Sequence, residues 1–319
     1  MTKDDLIVVG HNIPSIVVED EKRAVYQMKN QTGEGVMICY TVFPGAYLIY
    51  NDFHMQSCDS VFKTDVDMFC IDHCREGRIE QDMGNGAYDY IEAGDLKIDN
   101  RKRHNTHFEF PLSHYHGITV ALCMEQAAKT LSAEMSSFSI DLYALQKKYL
   151  SGGVHCVVRG QNAIKHIFSE LYTVPDHIRI PYFKIKVLEL LVFLDALEIP
   201  TCNEKRPYFY KTQVEKIKAI QAFITSDMQK HYTLDELSSK FDIPLTSMKT
   251  CFKGVFGTSI FAYMRTYRMN QAAVLLRTSK KASVADIAGH VGYDSPSKFA
   301  VAFKDVMGKS PLEYRKSFV

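Results

Sequence analysis

Hydroxyl and lysine side chains occur at helical spacing in two segments of the C-terminal third of the chain. The first set is Thr246, Lys249, Thr250 and Lys253, and the second set is Ser297, Lys298, Val301 and Lys304. Hydroxyl and ammonium groups can bond to base edges and phosphates, and an apolar group such as that of Val301 can touch a thymine methyl. Any single one of these residues is more often an ordinary surface residue. As two sets, they predict contacts with double-stranded DNA.

Apolar residues four positions apart predict which way these sets face. Met248 and Phe252 in the first segment, and Phe299 and Phe303 in the second, share one helix face and are expected to point inward. The polar sets would then form the outer faces of their helices. This placement opposite a buried face favours a binding role over that of scattered surface residues.

The two segments belong to a sequence duplication. Phe252–Ser259 recurs as Phe303–Ser310, and upstream Leu237 and Phe241 match Ile287 and Val291. The offset is 50 residues upstream and 51 residues downstream, so one residue is gained in a connecting turn. Repeats of this period indicate duplicated supersecondary units. Each copy is predicted to be a helix, a tight turn and a second helix, which is the architecture that places a helix in a DNA major groove.

Local signals delimit the predicted helices. Thr233 with Glu236, and Ser283 with Asp286, have the spacing of capping boxes at helix N-termini. Between the two copies, residues 258–277 predict one continuous helix of 20 residues, about 30 Å long at 1.5 Å per residue. Two reading helices joined rigidly by it could enter successive major-groove segments about 34 Å apart.

Charge changes sign along the chain. Residues 205–319 hold 19 Lys/Arg and 9 Asp/Glu, a net charge of +10, whereas residues 1–204 hold 19 and 28, a net charge of −9. Neutralising phosphates requires clustered basic residues, so the basic region favours a nucleic-acid partner over a merely solvated face. Three arginines of the long helix could meet phosphate, although solvated helix charges explain them equally well: Arg265, Arg268 and Arg277.

The first 125 residues have the pattern of short strands. Apolar or alternating runs such as Val36–Phe43 are separated by turn residues, and Gly86 or Asn85 can supply the positive φ of a tight hairpin turn. Regular short strands with such turns predict a β-sandwich or a small barrel. From about residue 126 to residue 200 the apolar spacing becomes helical. Residues 201–212 have the composition of a linker.

One predicted helix, Pro181–Leu197, is more apolar than a single buried face requires. Burial inside its own domain and packing across a dimer axis explain this equally well. Because the run contains Glu189 and Asp195 and is shorter than the roughly 20 apolar residues of a membrane span, no membrane association is expected. The eight cysteines are scattered and no signal peptide is recognisable, so reduced thiols in a cytoplasmic protein are expected.

Histidines and aromatic residues of the first half offer two kinds of site. Histidines together with a carboxylate could hold a metal or an iron chelate, and the candidates are His54, His73, His104, His107, His114 and His116. Surface and turn histidines are the alternative, and we expect no metal and no cofactor. Aromatic residues could instead line a pocket for an organic effector, although they could equally be ordinary core: Tyr40, Phe43, Tyr88 and Tyr90.

The C-terminal motifs resemble those of the AraC-type DNA-binding domain. The matching segments, in chain order, are Arg268–Leu276, Ile287–Phe299 and Gly308–Arg315, and the resemblance covers roughly residues 213–317. Phe252–Tyr263 looks most like the PchR branch, whose regulators respond to iron-loaded siderophores. Two departures are Val301, where many relatives carry arginine, and Pro244, where many carry a capping serine.

The resemblance implies a domain plan. Residues 1–125 would be a cupin-like effector-sensing β-sandwich or barrel, and residues 126–200 a helical dimerisation segment. After the linker, residues 213–319 would be an all-α DNA-binding domain with two helix-turn-helix motifs joined by the long helix, making the chain an α+β protein. Members of this family regulate transcription and often contact RNA polymerase, so the resemblance implies DNA and polymerase as partners. The helical segment implies a homodimer.

Three functions follow from these observations. The first is a sequence-specific transcriptional regulator, not an enzyme, that responds to a small-molecule effector such as an iron-siderophore complex. The second is a metal-dependent cupin enzyme with an accessory DNA-binding domain, which would need a facial set of histidine and carboxylate ligands. The third is an architectural protein that binds DNA without regard to sequence.

Overall fold

The computed structural model describes residues 15–20, 23–59, 66–82, 86–101, 107–134, 140–151, 155–159, 162–198, 208–279 and 281–316. The chain divides into two compact units. The first comprises residues 1–85 and 89–208, and the second comprises residues 86–88 and 209–319. The predicted linker lies largely outside the described residues, since residues 201–207 are not among them.

The first unit is built on a curled antiparallel sheet. Its strands are β1 (Ser15–Glu19), β2 (Arg23–Asn30), β3 (Gly33–Phe43), β4 (Ala46–His54), β5 (Ser57–Asp59), β6 (Met68–Asp82), β7 (Ala87–Glu92), β8 (Leu96–Asp99), β9 (His107–Glu109), β10 (Tyr115–Cys123) and β11 (His155–Val158). The central order is β1-β2-β3-β4-β10-β6, with antiparallel neighbours. The long strand β6 also pairs with β8 and β9, so it connects the central strands to these two shorter strands.

The side chains on one face of this sheet form part of the main core. Leu48 and Tyr50 of β4 lie on the same side as Ile118 and Val120 of β10, because successive side chains of a strand point to opposite faces. Phe183, which has no solvent exposure, packs on this side with its ring centroid 6.0 Å from that of Tyr50. The apolar runs that predicted strands therefore also build the core.

Four helices complete the first unit: α1 (Met124–Glu134), α2 (Leu142–Leu150), α3 (Asn162–Leu171) and α4 (Arg179–Ala196), the last preceded by a 3-10 turn at Asp176–Ile178. Most apolar side chains of α4 are buried within the chain, which supports burial as the reason for its composition: Phe183, Val187, Leu190, Leu191 and Leu194. Ile185 and Val192 are exceptions, with exposures of 61% and 43%.

The second unit is helical. After the two-residue strand β12 (Phe209–Tyr210) it contains α5 (Lys211–Ser226), α6 (Leu234–Lys240), α7 (Leu245–Phe256), α8 (Ile260–Thr278), α9 (Val284–His290), α10 (Pro296–Met307) and α11 (Pro311–Lys316). The single long helix between the two copies is present as α8. Both predicted capping boxes form, with Thr233 and Ser283 each accepting a hydrogen bond from the third helical residue.

The observed architecture has a curled antiparallel sheet followed by a helical domain, as the fold-class prediction required. Strand β11 was not predicted from the sequence. It lies within residues 126–200, where only helices were expected. It pairs with β8 and so extends the sheet. Within the described ranges, seven cysteines are buried, and no helix has the length and apolar character needed to cross a membrane.

Candidate functional site

The eight side chains predicted to contact DNA are all exposed. Thr246, Lys249, Thr250 and Lys253 lie on α7, and Ser297, Lys298, Val301 and Lys304 lie on α10. The exposure of Val301 reaches 64%, which is high for an apolar residue. Two equivalent helices of one unit therefore present hydroxyl, ammonium and apolar groups to the outside.

Buried residues on the opposite faces hold α7 and α10 in this orientation. Met248, Phe252, Phe299 and Phe303 have no solvent exposure, as their four-residue spacing predicted. Phe252 packs edge-on against Tyr263 of α8, with ring centroids 5.6 Å apart. Rotating either helix by half a turn would expose these phenylalanines, and fully burying one is worth about 1.5–3 kcal/mol. The apolar faces thus decide which residues face outward.

The start of α7 does not depend on a capping hydroxyl. Pro244 is the N-cap residue and makes no side-chain cap hydrogen bond. Its carbonyl still accepts a hydrogen bond from the Met248 amide at 2.8 Å, so the first turn closes normally. At the other end, Gly257 adopts the left-handed conformation, with φ of 77°, that commonly terminates helices.

The three arginines of α8 have different environments. Arg268 is only 7% exposed, and its guanidinium donates to the Lys230 carbonyl at 3.2 Å. Burial lowers the pKa of Arg268 below its usual value. Arg265 is exposed and pairs with Asp305 at 2.7 Å, and Arg277 is exposed in the last turn. Arg268 therefore contacts protein rather than a surface that phosphate could reach.

The four aromatic residues predicted to line an effector pocket occupy two environments. Tyr40 and Phe43 belong to the main core cluster, where the Tyr40 ring lies 5.4 Å from that of Phe183. Tyr90 of β7 is buried and donates a hydrogen bond to Glu80 at 2.7 Å. Tyr88 lies two residues earlier on β7 and is partly buried. The effector assignment stays a prediction.

The histidines also separate into different environments. His73 is buried against Phe168, with ring centroids 4.2 Å apart, and burial lowers its pKa to about 4. His107 lies 3.7 Å from the carboxylate of Glu109, and His104 lies outside the described residues. His54 and His116 do come together, and they meet at a residue that the sequence did not single out, Asp52. Only the register between β4 and β10 could have shown that this carboxylate joins them.

A family model matches part of the second unit. The family described as "Helix-turn-helix domain" matches residues 237–317. An AraC-like transcription regulator of Streptomyces antibioticus is 35% identical over 94 residues, which cover 30% of this chain and 31% of the relative. The chain therefore contains a helix-turn-helix domain, and over part of its length it is similar to AraC-like regulators.

Two further known proteins are similar to part of this chain. The lactose operon transcription activator of Staphylococcus xylosus is 32% identical over 123 residues, covering 37% of this chain and 43% of the relative. The solved C-terminal domain of the response regulator yesN from Fusobacterium nucleatum is 30% identical, with 31% of this chain and 95% of that chain covered and a TM-score of 0.29. This chain spans between 29% and 55% of the length of the curated relatives that it matches.

Proposed function

We propose that this protein is a sequence-specific DNA-binding regulator of transcription. The observation that carries the proposal is the position of the two polar sets, which face outward on α7 and α10 of an AraC-type domain. Lysines suit phosphates and guanine edges, hydroxyls suit either, and Val301 suits a thymine methyl. Each helix pair then acts as one helix-turn-helix motif, with α7 and α10 as the recognition helices.

The linking helix supports the engagement of both motifs at once. Helix α8 has 19 residues and is therefore about 28 Å long at 1.5 Å per residue. This length is comparable to the spacing of about 34 Å between successive major-groove segments on one face of the duplex. The two recognition helices would then read adjacent turns of one site.

We propose that the first unit is a cupin-like sensor for a small-molecule effector. The curled antiparallel sheet supports this plan, and Tyr40, Phe43 and Tyr90 remain the candidate contacts in this unit, whereas Tyr88, the fourth predicted contact, belongs to the second unit. The PchR-like appearance of Phe252–Tyr263 makes an iron-siderophore complex the first effector to test. Such an effector changes DNA binding only if its affinity differs between two states of the protein.

A homodimer formed through α4 would connect effector binding to DNA binding. Ile185 and Val192 of α4 are exposed by 61% and 43%, and Ile178, which directly precedes the helix, is exposed by 40%. Ile185 and Val192 are seven residues apart and lie on nearly the same side of the helix, so they form an apolar surface that a second copy could cover. RNA polymerase is a proposed partner through the resemblance to AraC-type regulators.

Selection of bound sequences from random double-stranded DNA tests the regulator proposal. The full chain is used with and without ferric siderophore, and with and without simple sugars. We expect one enriched motif, whose preference relaxes at a single position in Lys249→Ala at a cost of about 1–3 kcal/mol on the preferred site. Lys147→Ala removes an exposed lysine from α2 of the first unit and should leave the motif unchanged. Equal affinity for all duplexes would instead indicate an architectural protein.

A metal-dependent enzyme with an accessory DNA-binding domain is the second candidate. It is favoured by the cluster of Asp52, His54 and His116, which has the composition of a two-histidine, one-carboxylate site. If this candidate is correct, metal-loaded protein will consume a substrate catalytically. A purely regulatory protein will change only its DNA affinity.

A further inference from the structure

Three potential metal ligands converge at one end of β4 and β10. Asp52 and His54 lie two residues apart on β4, and therefore on the same face of the sheet. His116 of β10 is the direct cross-strand partner of Asp52. Nε2 of His54 and Nε2 of His116 each lie 3.0 Å from the same carboxylate oxygen, Oδ1 of Asp52.

These separations suit ligands that share one ion. Two donor atoms at about 2.1 Å from a metal and at right angles to each other are about 3.0 Å apart. One ligand atom from each of the three residues lies within 4.8 Å of the other two. We propose that Asp52, His54 and His116 bind a divalent first-row transition metal through two imidazole nitrogens and one carboxylate oxygen.

The chemistry of the donors selects the class of ion. Two imidazoles with one carboxylate favour zinc, iron, cobalt, nickel or copper over magnesium and calcium, which prefer oxygen donors. Side-chain exposures of 55% for Asp52, 63% for His54 and 29% for His116 leave the outer side open. The bound ion therefore keeps coordination positions for water or for a small chelating molecule.

A further histidine stands beside the cluster with a defined protonation pattern. The rings of His114 and His116 are perpendicular, with centroids 6.2 Å apart. Nδ1 of His114 lies 3.0 Å from the carbonyl oxygen of Leu112. Because a carbonyl can only accept, Nδ1 carries the proton, and in the neutral ring Nε2 keeps a free lone pair. His114 thus borders the cluster but is not among the three residues whose ligand atoms meet.

Metal titration of the full chain, purified without a polyhistidine tag and stripped with a chelator, tests the site. Equilibrium dialysis with metal analysis for Zn²⁺, Ni²⁺ and Co²⁺ should give one ion per chain, and the Co²⁺ form should absorb visible light. Asp52→Asn keeps the size of the side chain but removes the anionic ligand, and His116→Ala removes an imidazole. Either variant should weaken binding at least tenfold.

His166→Ala is the matched control. His166 also lies near a carboxylate, at the longer distance of 3.9 Å from Glu170, and among the described residues it belongs to no group of three potential ligands. Its metal binding should equal that of the wild type. The proposal fails if the wild type binds no stoichiometric metal, or if both site variants bind as tightly as the wild type. It also fails if His166→Ala loses binding to the same extent.

A measurement on the wild-type protein covers the case in which the site variants do not fold. Acylation of histidine rings, mapped by mass spectrometry, is compared with and without Zn²⁺. Bound metal should protect His54 and His116 several-fold and leave His166 equally reactive. Unchanged reactivity of His54 and His116 at saturating Zn²⁺ contradicts the site.

Discussion

Asp242 and Gly292 occupy equivalent positions in the two helix pairs and share a left-handed backbone conformation, with φ of 46° and 80°. Each directly follows the C-cap residue of the first helix of its pair. The next amide in each case donates back into the helix, from Ile243 to the Ser238 carbonyl and from Tyr293 to the Ala288 carbonyl. Both turns are therefore Schellman motifs. The duplicated sequence repeats its turn geometry even though only one copy carries glycine.

Replacing Gly292 by alanine should destabilise the second unit. An added Cβ would lie 2.3 Å from the carbonyl oxygen of Met228, and the left-handed conformation itself disfavours alanine. We expect a loss of at least about 1–2 kcal/mol in the free energy of unfolding, measured by urea titration and circular dichroism. Gly289→Ala is the control, because its Cβ would meet no atom within 4 Å and the position is helical. Its stability should be equal or higher by about 0.5–1 kcal/mol.

Val301→Arg should create a preference for guanine. The position is 64% exposed on the outer face of α10, so the longer side chain has room to extend. Arginine donates to O6 and N7 of guanine in a bidentate manner, which is worth about 1–3 kcal/mol of discrimination. Sequence selection with the variant should enrich guanine at one position of the motif, whereas Val301→Ala should not. Enrichment that is identical in both variants would mean that α10 does not enter a major groove.

His73 should make the protein less stable as the pH falls from about 6.5 to about 4. Burial depresses the pKa of the folded state to about 4, so the unfolded chain binds the proton first. Stability should therefore fall by about 1.4 kcal/mol per pH unit across this window, relative to a variant that lacks the histidine. Urea titrations at several pH values compare His73→Phe with the wild type. Val301→Ala, which changes an exposed position without removing a titratable group, should keep the wild-type dependence.

Arg101 should be required for the stability of the first unit. Its guanidinium lies 2.7 Å from Asp72 and 2.8 Å from Asp99, and the three side chains are at most 14% exposed. In Arg101→Met both carboxylates lose this partner in a buried setting, so we expect a loss of about 3–5 kcal/mol on denaturation. Lys129→Met breaks an exposed pair with Glu125 and should have no measurable effect. Similar losses of unfolding free energy in both variants would contradict the conclusion that burial makes the Arg101 ion pairs important for stability.

Local signals were sufficient to predict most of the second unit. The capping boxes predicted at Thr233 and Ser283 form at the starts of α6 and α9, and the linking helix predicted at residues 258–277 is observed as Ile260–Thr278. Caps, glycines and apolar residues four positions apart act within one or two helical turns. For this reason they can be read directly from the chain.

Contacts between distant segments could not be predicted in this way. Arg268 has the position of a surface arginine on a helix, but the fold directs it to the carbonyl of Lys230. In the sequence, β11 is only a short apolar run, and it becomes a strand of the sheet through its pairing with β8. In both cases the deciding partner comes from a part of the chain whose position no local pattern specifies.

By itself the sequence determined the helical repeat and which faces of α7 and α10 point outward, because the side opposite a buried apolar face is left exposed. The tertiary structure alone decided that Asp52 meets both His54 and His116. A carboxylate and a histidine 64 positions apart become neighbours only through the register of β4 and β10. That register depends on the packing of the whole sheet, because shifting it by one residue would turn every side chain of a strand to the other face.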